Sequence, residues 1–452
     1  QSLTERYVAA LSPTNFALTN PEVLRITVSS QGRNLIAGFK TLLADLERGG
    51  GPAASELAAD TWRLGENLAA TSGKVVYENA LLQLIQYTPT TPLQYAQPLL
   101  IVPPWINRYY VFDLRESNSF VKWTTDQGFT TFVISWIDPG DELADKSFDT
   151  YLSDGTLAAI AAVQQATGAQ QIHLAGYCLG GTLLMATLAW MAAKRDRRAA
   201  SATFLASLID FSAPDDSAAP DNPQLAQVEE QLRADLESPL TAHAFRILHH
   251  NELVWSFVVS SYLLGKGPFP ADLLYWSSDS ARVPAALHRF VLEELIEGNR
   301  LAVCKALSLA GVAIDVGKVK VASYFLSFSE DRISPWQRAY RGAQLPGGPV
   351  RFVLSGSGHV TGLINPPAAE RYGYWTSDRL PAAPQDFLRG ASEHAGSWWT
   401  DWRQWLLAQP GASALVPART PGDRGLAVIE AAPGRYVLRS DEESDQQASA
   451  AN

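Results

Sequence analysis

Apolar residues follow two different spacings along this chain. Up to about residue 70 they recur at helical intervals, as in the segment 34–48, which the run Gly49-Gly50-Gly51-Pro52 would end. From Lys74 onward they form short runs typical of β-strands, and helical stretches separate most of the later runs. The strand candidates are residues 74–78, 82–87, 98–102, 129–136, 171–175, 203–208, 319–329 and 350–354. The pattern predicts a helical N-terminal region, then an α/β domain whose first two strands form a hairpin.

The alternation of strands and helices is interrupted over residues 211–318. We interpret this segment as a cap inserted over the carboxyl edge of the sheet. Two stretches within it, 253–259 and 269–276, are rich in aromatic residues, which indicates either an apolar lid or the ordinary core of a second subdomain. The predicted organisation is therefore a helical region over 1–72, a catalytic domain over 73–438 that includes the cap, and a disordered acidic tail over 439–452. An aromatic helix is expected over 397–406.

A glycine-rich turn joins one predicted strand to one predicted helix and carries a cysteine. It reads Gly176-Tyr177-Cys178-Leu179-Gly180-Gly181. A side chain that projects from such a tight turn needs glycine at Gly176 and Gly180, because a Cβ there would collide with the crossing backbone. The N-terminal amides of the following helix would favour a thiolate and an adjacent oxyanion. The turn predicts a nucleophile elbow with Cys178 as the nucleophile; the alternative is a turn with a buried structural cysteine.

The strand order predicts the α/β-hydrolase fold: a mostly parallel central sheet with helices on both faces, an elbow after the fifth strand and a cap after the sixth. In that fold an acid and then a histidine follow the nucleophile, each just past a strand. Asp331 and His359 stand in those places and in that order. We therefore predict a Cys178, His359 and Asp331 triad, with Glu330 as a competing acid.

Two backbone amides are candidates for the oxyanion site. Leu179 N–H follows the nucleophile directly, and Ile106 lies in the loop after the third predicted strand. The other six histidines are interpreted as packing or surface residues: His173, His243, His249, His250, His288 and His394. Cys304 is interpreted as a small core residue without chemistry.

Composition narrows the class of protein. The formal net charge of −10 and the isoelectric point near 5.3 argue against a nucleic-acid partner. Two cysteines provide no disulfide framework, so we expect a reducing compartment, with cytoplasm as the default. The chain has no signal-peptide pattern, and the apolar stretch 253–264 is serine-interrupted and too short to span a bilayer. Because the sequence opens on Gln1, we expect its N-terminal region to be incomplete.

Four motifs taken together resemble polyhydroxyalkanoate synthases. They are the elbow, residues 103–110, residues 263–266 with 272–276, and residues 358–367. The likeness extends from residues 10–16 to residues 432–437. It implies a class I-like polymerase that takes (R)-3-hydroxyacyl groups, such as 3-hydroxybutyryl, from coenzyme A thioesters and works without a second catalytic subunit. No cofactor or metal is expected, since CoA belongs to the substrate and is released.

The same resemblance implies a location and partners: a growing polyester chain, the surface of storage granules in the cytoplasm, and a homodimer formed through the cap near Trp255. The sequence departs from the family at two points. Arg332 follows the acid where histidine is common, and relatives begin further upstream.

A cysteine suits polymerisation because it stores the acyl group as a second thioester, which conserves the free energy needed for transfer to a hydroxyl. Asp331 would orient the imidazolium or help to activate the 3-hydroxyl of an incoming unit. Two other functions stay open: a thioesterase or ester hydrolase with the same triad, and a non-catalytic granule-associated protein. An apolar lid that excludes water would favour transfer over hydrolysis.

Overall fold

The structure is a computed structural model that describes residues 15–47, 62–212, 258–265, 271–279, 281–331 and 333–438. Several predicted features lie outside the described residues: the glycine stop at 49–52, the cap segment around Trp255, Arg332 and the acidic tail. The chain divides into two compact units, one of Gln1–Arg63 with His243–Ser280 and the other of Leu64–Ala242 with Ala281–Asn452. Part of the predicted cap thus groups with the N-terminal helices, and the predicted domain boundaries stay a prediction.

The smaller unit contains helices over Pro21–Ser29, Arg33–Glu47 and Ala271–Ser278, with a π-helical segment over Val258–Leu263. Asn20 begins the first helix, because its side-chain oxygen accepts hydrogen bonds from two amides of the first turn, at 2.9 and 3.1 Å. Gly38 packs closely against the π-helical segment, since a Cβ there would stand 1.8 Å from the Tyr262 carbonyl oxygen.

The larger unit is built around a central sheet. Its strands in chain order are β1 (Gly73–Glu78), β2 (Leu82–Tyr87), β3 (Leu93–Tyr95), β4 (Leu99–Val102), β5 (Thr131–Trp136), β6 (Ile172–Tyr177), β7 (Ala199–Leu205), β8 (Ser308–Leu309), β9 (Val312–Ala313), β10 (Ser323–Phe328), β11 (Val350–Ser355), β12 (Tyr374–Thr376), β13 (Ser392–His394), β14 (Leu415–Pro417) and β15 (Glu430–Ala431). Its α-helices are Phe120–Asp126, Phe148–Thr150, Ala158–Thr167, Leu179–Ala193, Ala285–Phe290, Trp336–Gly342, Pro384–Gly390, Trp398–Leu407 and Arg435–Leu438. The segments Tyr151–Leu157 and Val291–Glu297 are π-helical, and short 3₁₀ turns cover Tyr109–Phe112, Asp141–Leu143, Val316–Lys318 and Pro367–Ala369.

Within the described residues, eleven strands form one sheet in the order β13-β12-β11-β10-β7-β6-β4-β5-β2-β1-β15. The strands from β11 to β5 in that order run parallel to one another, and the predicted hairpin is the antiparallel pair β1 and β2. Strands β3 and β14 pair separately, so β6 is the fifth strand of the main sheet in chain order. The predicted α/β-hydrolase fold is confirmed.

One strand differs from its predicted bounds. β7 begins at Ala199 and ends at Leu205, whereas the apolar run predicted 203–208. The strand begins early because Ala199 pairs with Ile172 of β6, and it ends early because Ala206 adopts a left-handed backbone conformation with φ of 48°. Register with β6 therefore sets the first end, and the backbone conformation of Ala206 sets the second.

Parallel pairing brings several strand ends to one edge of the sheet. β6, β7, β10 and β11 are successive neighbours, so the loops that leave their carboxyl ends are also neighbours. Cys178 directly follows β6, Asp331 follows β10, and His359 follows β11. The topology therefore collects the three predicted site residues at the edge where α/β folds commonly bind their ligands.

Candidate active site

The elbow turns sharply at Cys178. This residue directly precedes the helix Leu179–Ala193 and has φ of 52° and ψ of −126°, a conformation that a residue with a Cβ rarely adopts. Its amide donates to the Leu205 carbonyl oxygen at 2.9 Å, while its own carbonyl accepts from Gly181 and Thr182 at 3.0 and 3.2 Å. The side chain is thereby held at the N-terminal end of a long helix, where the aligned peptide dipoles favour negative charge.

Glycines make this turn possible. A Cβ on Gly176 would stand 2.5 Å from the Gly181 Cα, and a Cβ on Gly180 would stand 2.2 Å from the Val102 carbonyl oxygen. Both neighbours are backbone atoms, so neither can rotate away. The structure also shows a third requirement that the sequence analysis missed: a Cβ on Gly181 would stand 1.9 Å from Ser207 Oγ.

Asp331 and His359 form a buried pair. The imidazole Nδ1 and the carboxylate Oδ2 are 2.7 Å apart, and the two side chains are 2% and 0% exposed. The other carboxylate oxygen, Oδ1, accepts from the backbone amides of Ile333 and Ser334 at 2.9 and 2.8 Å. The backbone of its own turn thus fixes the carboxylate independently of its bond to the histidine. Glu330, the competing acid, is exposed.

The electrostatics of His359 involve both partners. Burial by itself lowers the pKa of His359, but the negative charge of Asp331, its hydrogen bond to the imidazole and the neighbouring Cys178 side chain raise that pKa well above its ordinary value. The influence of Cys178 on the pKa of His359 indicates that the thiol and the imidazole are neighbours. The structure brings Cys178, His359 and Asp331 together; their catalytic roles stay predictions.

The elbow packs against the loop after β4, which contains Ile106. The contact is that of Gly180 with the Val102 and Pro103 carbonyl groups. Trp136 secures this loop, since its indole Nε1 donates to the Pro103 carbonyl oxygen at 2.8 Å. Ile106 is buried, and its carbonyl accepts from Ala281 at 3.3 Å.

Leu179 is the first residue of the helix after Cys178, so its N–H is among the terminal amides that the helix itself does not pair. The oxyanion roles of Leu179 and Ile106 stay predictions.

Aromatic rings extend from the Ile106 loop along the domain. Trp105 lies 5.6 Å from Tyr151 and 6.1 Å from Phe148, centroid to centroid, and Phe148 stacks on Phe290 at 4.8 Å. These contacts give the neighbourhood of the loop an apolar wall.

Comparisons with known proteins match nearly the whole chain. A family model described as Poly-beta-hydroxybutyrate polymerase (PhaC) N-terminus matches residues 1–124, and the alpha/beta hydrolase fold model matches residues 108–366. The Poly(3-hydroxyalkanoate) polymerase of Methylorubrum extorquens is 43% identical over 437 residues, which cover 95% of this chain and 71% of that protein. The chain belongs to the poly(3-hydroxyalkanoate) polymerase family. The PhaC subunits of Rhizobium meliloti and Cupriavidus necator are 43% and 39% identical, over 95% and 96% of this chain and 70% and 74% of their own lengths.

Family membership confirms the resemblance predicted from the four motifs. None of the described helices combines the length and the apolar character needed to cross a membrane.

The interpretation of Cys304 as a core residue is wrong, because this residue is exposed. It lies in a turn before Lys305, which has φ of 59°, and only the flanking Leu301 and Leu307 enter the core.

Among the other histidines, His173 is buried in β6 and His394 stacks on Tyr374, with ring centroids 4.8 Å apart. His288 is also buried. His243, His249 and His250 lie outside the described residues. The turn that holds Asp331 was not predicted from the sequence. The sequence pattern that could have predicted this turn is an aspartate shortly before Ser334-Pro335 and the start of a helix. An aspartate at such a position commonly accepts hydrogen bonds from nearby backbone amides.

Proposed function

We propose that this polymerase family member joins (R)-3-hydroxyacyl groups from coenzyme A thioesters into polyester, with Cys178 as the acyl carrier. The observation that carries the proposal is the buried His359, which interacts with Asp331 on one side and with Cys178 on the other. A cysteine at an elbow with an imidazole in reach is the arrangement of an activated nucleophile. Curated relatives named poly(3-hydroxyalkanoate) polymerase support the substrate class.

In the acylation step, His359 takes the proton of Cys178 and the thiolate attacks the acyl carbonyl carbon. The new bond joins this carbon to Sγ, the bond to the sulfur of coenzyme A breaks, and CoA leaves as a thiol with the proton from the imidazolium. The raised pKa of His359 favours the imidazolium that this step requires. Amides of Leu179 and Ile106 would stabilise the oxyanion of the tetrahedral intermediate.

In the elongation step, the hydroxyl of a second unit attacks the thioester on Cys178. A C–O bond forms, the C–Sγ bond breaks, and His359 accepts the hydroxyl proton. Asp331 supports this step by orienting the imidazole, since both of its oxygens already accept hydrogen bonds in the structure. Direct activation of the hydroxyl by Asp331 is the alternative role. The mechanism needs no group beyond the chain and its substrate.

The decisive assay supplies (R)-3-hydroxybutyryl-CoA and follows free thiol, turbidity and free hydroxy acid together. We expect thiol release with turbidity from polymer, whereas thiol release with hydroxy acid alone would identify a hydrolase. Cys178→Ala should abolish thiol release, and Cys304→Ser should leave it unchanged. An inactive wild-type chain whose Cys178 ignores thiol reagents would support the non-catalytic alternative.

The role of Asp331 is tested by Asp331→Asn in a rapid-quench experiment that separates acylation from elongation. If Asp331 orients His359, both rates should fall by about 10⁴-fold, the loss seen when the orienting aspartate of a serine-protease triad is replaced by asparagine. A normal acylation burst with slow elongation would instead show that Asp331 activates the hydroxyl. Unchanged rates in both phases would remove Asp331 from the mechanism.

We also propose that the chain works in the cytoplasm at the surface of the polyester granule, and that the smaller unit contacts this surface. Its first two helices expose large apolar side chains at helical spacing. These are Leu24, Val28, Ile36, Phe39 and Leu43. Such side chains gain free energy by leaving water for an apolar polymer. A homodimer through the cap is proposed from the family resemblance alone, and light scattering of the purified chain tests it.

Granule attachment is tested with Phe39→Lys in cells that accumulate polyester, with Ala37→Lys as the matched control. Both positions are exposed on the same helix, and both variants add one positive charge, but only the first removes a large apolar side chain. We expect the fraction of enzyme on isolated granules to fall for Phe39→Lys alone. Equal distribution of both variants would contradict the proposed contact.

A further inference from the structure

His359 is part of a compact turn whose own hydrogen bonds leave several carbonyl groups for outside partners. Gly362 N–H donates to the Gly358 carbonyl oxygen at 2.8 Å, and Ile364 N–H donates to that of Val360 at 3.2 Å. A Cβ on Gly362 would stand 2.4 Å from the Phe328 ring, so this turn lies tightly against the end of β10. Its position therefore determines where the imidazole stands relative to Asp331 and Cys178.

One helix supplies donors to this turn. Within the helix Trp398–Leu407, the Trp398 indole Nε1 donates to the Gly362 carbonyl oxygen at 2.9 Å, and the Trp399 Nε1 donates to that of Leu363 at 3.1 Å. The residue before the helix, Ser397, donates its hydroxyl to the Asn365 carbonyl oxygen. Both indoles are fully buried. Two rigid side chains thus hold two successive carbonyl groups of the segment that follows His359.

The same helix is fixed to the sheet by contacts that do not involve the turn. Trp402 Nε1 donates to Thr203 Oγ1 of β7 at 2.9 Å. Asp401 accepts a hydrogen bond from the Tyr324 hydroxyl at 2.9 Å and pairs with Arg351 at 2.5 Å. These partners lie on β10 and β11, the strands that lead to Asp331 and His359. The helix is therefore fixed in position relative to the strands that lead to the acid and the histidine.

We propose that Trp398 and Trp399 are positioning residues for His359. Their indole N–H groups fix the position and orientation of the turn, and thereby place the imidazole between Asp331 and Cys178. Tryptophan fits this task, because it fills a core site with a rigid ring and also donates one hydrogen bond. Loss of a donor leaves a buried carbonyl group unpaired, which the turn can relieve only by moving. The inference rests on the proposed role of His359.

The test uses the full chain in a Cys304→Ser background, so that Cys178 is its single cysteine. Trp398→Phe and Trp399→Phe keep an aromatic ring but remove the donor. Trp402→Phe is the matched control: it removes an equally buried indole donor from the same helix, but one that bonds the sheet. Three quantities are measured for each: the rate of Cys178 alkylation by iodoacetamide from pH 5 to 9, CoA release, and the melting temperature.

We expect each of the first two variants to lower the alkylation rate at pH 7 and kcat by roughly tenfold with little change in KM, as misplacement of a reacting group predicts. Trp402→Phe should lower the melting temperature comparably and keep both rates within about twofold of the parent, because Asp401 still holds the helix to β10 and β11. If all three variants lose the same activity for the same loss of melting temperature, or if the first two keep the parent alkylation profile, the inference is overturned.

His359→Gln separates this outcome from failure of the proposed function. If alkylation of Cys178 is indifferent to His359→Gln, the histidine role itself is wrong. If it depends on His359 but not on the two indoles, only the positioning inference fails. Should Trp398→Phe not fold, 3-benzothienylalanine at position 398 replaces the N–H by sulfur in a ring of nearly the same shape and gives the same readout.

Discussion

Acidification should destabilise this protein through His173 of β6. The imidazole is fully buried, its Nδ1 lies 2.8 Å from Ser201 Oγ, and nothing in the described part of the chain bonds to its Nε2. Burial lowers the pKa of His173 from 6.5 to about 4. In the unfolded chain the ring recovers its ordinary pKa, so between these values the unfolded state binds a proton that the folded state refuses. The stability is intact above pH 6.5 and is lost as the pH falls toward 4.

The magnitude follows from the two pKa values. At pH 5.0 the imidazole is about 97% protonated in the unfolded chain and about 9% in the folded one, which costs about 2 kcal/mol relative to pH 7.5. Full loss, below both values, is about 3.4 kcal/mol for a difference of about 2.5 pKa units. Since a domain is stable by only about 5–15 kcal/mol, this single ring would account for a large share of any acid sensitivity.

His173→Asn is the variant that isolates this effect, because an amide nitrogen can stand near the place of Nδ1 but does not titrate. Urea unfolding at pH 7.5 and pH 5.0 gives the free energy of unfolding of parent and variant at each pH. We expect the parent to lose about 2 kcal/mol more than His173→Asn between the two conditions. Thr182→Val removes a buried hydrogen bond to the Leu208 carbonyl oxygen and should lower the stability equally at both pH values. Equal acid losses for parent and His173→Asn would refute the reasoning.

Three further predictions concern the elbow and its surroundings. Gly180→Ala should cost about 1–3 kcal/mol of unfolding free energy and most CoA release, because the new Cβ meets the Val102 carbonyl oxygen, and urea unfolding with a thiol assay would show both losses. Trp136→Phe removes the hydrogen bond to the Pro103 carbonyl oxygen in the loop that contains Ile106. We expect the rate of CoA release to fall with only a small change in melting temperature, and an unchanged kcat would contradict the link between this loop and turnover. Cys304→Ser should change neither melting temperature nor CoA release, both easily measured, because the residue is exposed.

The local parts of this site were predictable from the sequence. The elbow was accessible because the collisions at Gly176 and Gly180 arise within one turn and its crossing strand, so the glycine spacing itself records them. The order of Asp331 and His359 was accessible because each follows an apolar run, and parallel strands gather their carboxyl ends at one edge. Both signals depend on residues close together in the chain.

Other features depend on contacts between distant segments, and the sequence holds no local trace of them. The need for glycine at position 181 comes from Ser207, which stands beyond the next strand. The donors to the His359 turn come from a helix whose tryptophans, in sequence, predict only an apolar face. Burial of Cys304 was predicted wrongly because its apolar sequence neighbours suggested a core position. The turn at Lys305 instead leaves the residue exposed. Packing partners, rather than composition, decide such positions.

The left-handed backbone at Cys178 has a consequence for engineering. A residue with a Cβ in this conformation costs of order 1–3 kcal/mol, and glycine is relieved of most of that strain. If Cys178 is the proposed acyl carrier, random mutagenesis scored by heat resistance alone would reward Cys178→Gly and enrich protein without turnover. Campaigns that seek a more stable catalyst from this scaffold should therefore score turnover in every round, because on the proposed mechanism stability and reactivity are opposed at this one residue.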